Sequence, residues 1–180
     1  MDNILTFAKS LVNIKYRLWT GKETNDIFYC DYIPSIDILQ EQGVNCAGFI
    51  NLIRLYSGRS IPNNKNKLIP RGGTRFWYNY FTTNKILDIF EYDKYYPLGT
   101  LLLRNYRNKK DQGHLAIIIE HYPKDNTKTL YGNIIHSYLE TNGSGQIGIT
   151  NLGQSHFSLV NKNGTGYYEY AVLPQNWLNF

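Results

Sequence analysis

Asn45-Cys46-Ala47-Gly48 runs into the apolar-periodic stretch Phe49-Ile50-Asn51-Leu52-Ile53-Arg54-Leu55-Tyr56, which places Cys46 in the first turn of an expected helix. A thiol there lies at the positive end of the helix dipole, which favours thiolate, and beside main-chain amides that the helix leaves unbonded. Such amides are the donors an oxyanion needs. Downstream, Gly113-His114-Leu115-Ala116-Ile117-Ile118-Ile119 sets a histidine at the head of an expected central strand. An imidazole brought beside the thiol could take its proton and return it to a leaving group. The structural alternatives are a buried packing cysteine and a satisfied strand-end histidine.

A third polar group would be needed to orient the base. His136, in Asn133-Ile134-Ile135-His136-Ser137-Tyr138, falls on what should be the neighbouring antiparallel strand. From there it could bond the far ring nitrogen of His114, fixing its tautomer and raising its basicity. Glu120 shares strand parity with His114 but lies about 20 Å along, at about 3.3 Å per residue, too far to serve. His121 and His156 have no partner by this logic and are expected at the surface.

These residues need elements to hold them. Residues 4–19 read as a helix on the stripe Ile4, Leu5, Ala8, Leu11 and Val12, stopped by Gly21. A short helical turn is expected over residues 36–42, with Ser35 as cap. The Cys46 helix is capped by Asn45 and ended by Ser57-Gly58. Residues 59–75 read as a loop, 75–81 as an aromatic cluster, and 86–89 as a further turn. Strands are expected at 100–106, 114–122, 128–138, 146–150 and 167–173, between turn-forming stretches. Helices followed by an antiparallel sheet make an α+β single domain over residues 1–180.

Composition sets outer bounds. A length of 180 residues with 42% hydrophobic and 18% charged residues suits one globular domain. The net charge of +5 comes from scattered basic residues, so nucleic acid is not the expected partner. Cys30 and Cys46 make no disulfide framework, and the chain has no metal-ligand spacing, so neither metal nor cofactor is expected. The N-terminus lacks a secretory pattern and no stretch approaches about 20 apolar residues. A cytoplasmic product is expected, or one in host cytoplasm or virion if virus-encoded; heavy use of Asn, Ile, Lys and Tyr suggests an AT-rich genome.

The chain resembles the NlpC/P60 superfamily of papain-like cysteine hydrolases. Asn45-Cys46-Ala47-Gly48-Phe49-Ile50 is similar to the family's Asp-Cys-Ser-Gly-Phe/Leu-Val, and Gly113-His114-Leu115-Ala116-Ile117-Ile118 to its Ser-His-Val-Gly-Ile-Tyr. Pro97-Leu98-Gly99-Thr100-Leu101 resembles a Pro-Gly-Asp-Leu strand entry, and Ile135-His136-Ser137 an Ile-His-Ala element. Upstream, Tyr16-Arg17-Leu18-Trp19-Thr20-Gly21 is similar to Tyr-Arg-Leu/Trp-Gly-Gly. The order, cysteine before histidine, is that of the unpermuted branch. The resemblance implies Cys46 as nucleophile, His114 as base and His136 as orienter. It also implies that Tyr16 lines the site, with Tyr16 and Asn45 near the oxyanion. The implied fold sets the nucleophile helix on a five- to six-stranded antiparallel sheet. Departures at Asn45, Ala47 and Trp19-Thr20 bear on substrate identity.

The activity so implied is cleavage of an amide through a thioester acyl-enzyme. Its substrate would be a peptide, a peptidoglycan stem peptide or an acyl amide. Two alternatives stand beside it. One is a lipid acyltransferase or thioesterase that shelters an acyl chain under Phe76, Trp77, Tyr78, Tyr80 and Phe81. The other is a non-enzymatic scaffold or basic module using Lys65, Lys67, Arg71 and Arg75 to hold single-stranded nucleic acid.

Overall fold

The computed structural model describes residues 1–18, 31–63, 68–91, 94–108, 112–121, 132–139, 145–152 and 168–180. Its centre is the apolar strand β3 (His114–His121), whose first six residues are all buried. Near-continuous apolar character lets both faces of β3 be covered. Around it, β1 (Asp88–Ile89), β2 (Leu101–Arg104), β4 (Gly132–Leu139), β5 (Gly145–Asn151) and β6 (Tyr170–Val172) complete a six-stranded sheet. The strand order is β1-β6-β2-β3-β4-β5, and every neighbouring pair is antiparallel.

Alternation along the strands sorts side chains to two faces. Leu101, Leu103, Leu115, Ile117, Ile135 and Ile147 face the helices. Leu102, Ala116, Ile118, Ile134 and Ala171 face the other way, clustered with Phe90, Tyr96 and Tyr168. On the helical side, α1 (Asp2–Ser10) packs on α3 (Cys46–Tyr56), and α3 packs on β3 and β4. The short α2 (Ile36–Gln42) is capped by Ser35, whose Oγ accepts from Ile38 N. Every residue of α3 from Cys46 to Arg54 is buried, because sheet and neighbouring helices cover it on all sides. Its Arg54 lies inside only because its guanidinium donates to Ser60 O at 2.9 Å and Trp177 O at 2.7 Å. The second bond ties α3 to α5 (Pro174–Trp177).

Several expectations need correction. The first helix ends at Ser10 rather than running to 19. Asn13 then takes a left-handed backbone (φ 73°), which asparagine tolerates, and its N–H reaches Ile147 O on β5. The aromatic run at 75–81 is not a loose cluster but helix α4 (Thr74–Thr83). Phe76, Trp77 and Phe81 fill the core, and Trp77 Nε1 donates to Asn51 Oδ1 on α3 at 2.9 Å. The turn expected over 86–89 instead supplies β1, whose Asp88 and Ile89 pair with β6. Residues 19–30, with Cys30, and residues 153–167, with His156, lie outside the described residues, as do 128–131 of the strand expected at 128–138. His121 is half-buried, its ring against Tyr95, rather than a plain surface residue.

Gly113 decides how closely α4 meets the head of β3. Its φ is +75°, and a Cβ there would strike Arg104 O and approach Thr74 Cγ2 to 2.8 Å. Both the left-handed backbone and the backbone clash oppose any side chain. Gly113→Ala is therefore expected to lower unfolding free energy by about 1–3 kcal/mol, read as a fall in the urea midpoint. An unchanged midpoint would show that the approach of Thr74 to β3 is not constrained there.

Candidate active site

The N-terminus of α3 is fixed from both sides of a gap in the sheet. Asn45 Oδ1 accepts from Gly48 N at 2.7 Å, so its side chain serves as the helix cap. Just before it, Val44 O accepts from Ser137 Oγ on β4, and Val44 N donates to Lys15 O at 2.8 Å. The β3–β4 ladder runs from His121↔Gly132 to Ile117↔Ile135 and stops there. β4 meanwhile continues pairing with β5 as far as Leu139↔Gly145. Ile118 N donates to Thr100 O just before β2, so by alternation the N–H of Leu115 points to the β4 side, where the ladder has ended.

The Cys46 thiol occupies that opening. Its polar neighbours are the Leu115 backbone, the Thr74 side chain and the first-turn amides of Ala47 and Cys46 itself, all of which favour thiolate. Cys46 is a free thiol and is buried. Burial outweighs the donors and pushes the thiol above its ordinary value. The helix end is expected to favour thiolate, and its first-turn amides do so locally. The donors are in place, but desolvation wins in the resting state.

His114 and His136 do meet. His114 Nε2 and His136 Nδ1 are 2.7 Å apart, and His136 Nε2 lies 2.9 Å from Thr150 Oγ1. Tyr138 stacks on His136 with ring centroids 4.7 Å apart. Both imidazoles are buried. Burial first, then the charges of His136 and of Arg104 across the β2–β3 register, holds His114 well below its ordinary value. His114 is therefore a neutral imidazole near neutral pH.

The thiol and the imidazoles reach the gap from opposite faces. His114 and His136 share the parity of Ala116, Ile118 and Ile134, away from α3, whereas Cys46 belongs to the α3 side. Leu115 links them: its backbone touches the thiol and is bonded directly to His114. Tyr16 is tied to the start of β5, its N–H donating to Gly145 O at 2.7 Å. Asn45 is close by, but its carboxamide oxygen is engaged in capping.

Sequence reasoning missed Thr74, Ser137 and Thr150. Ser137 adjoins His136 in the chain, and that was the only available signal; Thr74 and Thr150 reach the site through packing of α4 and pairing of β5. Among the described residues, no group of three or more His, Cys, Asp or Glu could hold a metal ion. Among the same residues, no helix is long and apolar enough to cross a membrane. Arg71 is committed to Asp31 at 2.7 Å and to the carbonyls of Pro62 and Ile61, and Lys65 and Lys67 lie outside the described residues. No family model matches this chain, and no curated protein matches it.

The depressed His114 makes acid stability a test of this geometry. Below pH 6.5, its ordinary value, the unfolded chain binds a proton that the folded chain refuses, so stability falls as pH drops through and below that value. Replacing His114 by Gln should flatten this acid slope in urea titrations from neutral pH downward. An equal slope in both proteins would place the titrating group elsewhere.

Proposed function

We propose that the protein is a cysteine hydrolase of the NlpC/P60 type, acting on an amide through a thioester acyl-enzyme. One observation carries the reading. A free thiol ringed by amide and hydroxyl donors at a helix start lies one peptide unit from a histidine that a second histidine orients. In the tautomer this chemistry requires, His114 Nε2–H donates to His136 Nδ1 and His136 Nε2–H donates to Thr150 Oγ1. His114 Nδ1 is then the basic nitrogen.

The steps follow from the ground states of the two groups. Neutral thiol and neutral imidazole imply that the proton moves from Sγ to Nδ1 as sulfur attacks the carbonyl carbon, rather than beforehand. The carbonyl oxygen gains the electron pair and is stabilised by the Cys46 amide and its neighbours. Collapse expels the amine, which takes the proton from His114 Nδ1, and leaves a thioester on Cys46. Water, deprotonated by the same nitrogen, releases the acid and restores the thiol. The mechanism needs sulfur and Nδ1 to meet through the open end of the β3–β4 ladder, where the sheet does not separate them.

An acyl-chain shelter under the aromatic run is the less favoured alternative, because Trp77 and Phe81 are fully buried in the α4 core. The general-base reading predicts the pH profile of alkylation by a small neutral electrophile. Cys46 should react with iodoacetamide at neutral pH without the acid-side plateau of a preformed thiolate. His114→Ala should slow that reaction at least tenfold at neutral pH and leave the rate at high pH nearly unchanged. An ordinary thiol titration that is indifferent to His114 would contradict the proposal.

A further inference from the structure

β4 runs on past the end of its ladder with β3, and its far edge there borders a lane that leads to the thiol. Leu152 N donates to Gly132 O, so the even-numbered residues of β4 turn their main-chain groups to β5. The odd-numbered ones, first Asn133 and Ile135 and then Ser137 and Leu139, turn theirs to the β3 side. The β5 partners of Ser137 and Leu139 confirm this phase. Ile147 and Gly145 face away from β4, bonding Asn13, Ile14 and Tyr16 instead.

Extended by two and then four residues, the Ile117↔Ile135 register would set Leu115 against Ser137 and Gly113 against Leu139. Neither pair forms. The Leu115 backbone is given to the Cys46 sulfur, and Gly113, at φ +75°, packs against Arg104 O and Thr74 on the side away from β4. Ser137 is buried, whereas Leu139 is 44% exposed. The lane therefore opens at the surface beside Leu139 and closes at the sulfur, two residues or about 7 Å along the strand. A strand edge with N–H and C=O groups at alternate residues takes up a second extended chain.

We propose that an extended, α-linked peptide substrate adds to β4 as an antiparallel strand, in the place that β3 vacates. The residue bearing the scissile carbonyl lies opposite Ser137, whose N–H donates to that carbonyl oxygen beside the Cys46 amide. Two residues earlier in the substrate, N–H and C=O pair with the C=O and N–H of Leu139. The direction is that of β3, as every neighbouring pair in this sheet is antiparallel. The earlier residue shares a face with the exposed Leu139 side chain, which selects an apolar side chain there. The placement rests on the reading of Cys46 as nucleophile, though the pairing itself needs no turnover.

The test measures binding of acetyl-Ala-Val-Ala-Ala-Gly amide to the Cys46→Ala protein by calorimetry. Each amide of the peptide is replaced in turn by an ester, which removes one N–H and keeps the chain extended. Esters at alternate positions should weaken binding about fivefold or more, and those between them less than about twofold. Leu139→Pro deletes the N–H on the open side and spares the β5 pairing, in which that N–H takes no part. It should weaken binding at least about fivefold with the melting temperature unchanged, whereas Leu139→Ala should keep the alternation. No binding, ester effects without alternation, or an affinity indifferent to Leu139→Pro would overturn the strand addition. Should Leu139→Pro not fold, the ester series on Cys46→Ala decides alone. Because nothing here reads the thiol, failure is distinguishable from failure of the alkylation experiment, which reads Cys46 and His114 alone.

Discussion

The seating of the α3 N-terminus at the open end of the β3–β4 ladder is the constraint on which the site depends. Ser137 on β4 holds Val44, the Leu115 backbone on β3 holds the Cys46 sulfur, and Asn45 caps the turn between them. Were the ladder to continue to Leu115 and Ser137, the Leu115 N–H would be used in strand pairing and no opening would remain. The interruption lets a group on the helical side approach groups on the opposite face. On the proposed reading, this local defect in a regular sheet is the route between thiol and imidazole.

Electrostatics at that point are poised rather than strong. Burial raises the thiol and depresses the imidazole, so both shifts favour the uncharged pair. Four donors around sulfur oppose burial without overcoming it. On the proposed reading, charge develops only when a carbonyl oxygen enters the same cluster of amides. The histidine chain through His136 to Thr150 adds direction, since each member fixes the next ring's proton. Arg104, buried across from His114, further disfavours a protonated base at rest.

Much of this was legible in residue order and spacing. The cap at Asn45, the apolar run of 114–119 and the His114–His136 contact follow from periodicity and strand adjacency, which depend on neighbours in the chain. The end of the first helix did not follow, because Asn13 turns to satisfy Ile147 on β5, a partner remote in sequence. Asp88-Ile89 read as helical turn because two residues carry no period; pairing with β6 made them a strand. Thr74 and Thr150 were invisible for the same reason, as each reaches the site through tertiary packing. The thiol's direction of shift was also missed, since a sequence shows the helix end and not the depth of burial.

The central claim is that Cys46 and His114 act on one another through the gap in the sheet. Nitrogen NMR of the imidazole rings, before and after capping the thiol with methyl methanethiosulfonate, tests it most directly. The account predicts that the His114 Nδ1 resonance shifts strongly, that His136 follows weakly through its hydrogen bond, and that His121 stays put. A His114 signal unmoved by modification of Cys46 would contradict it.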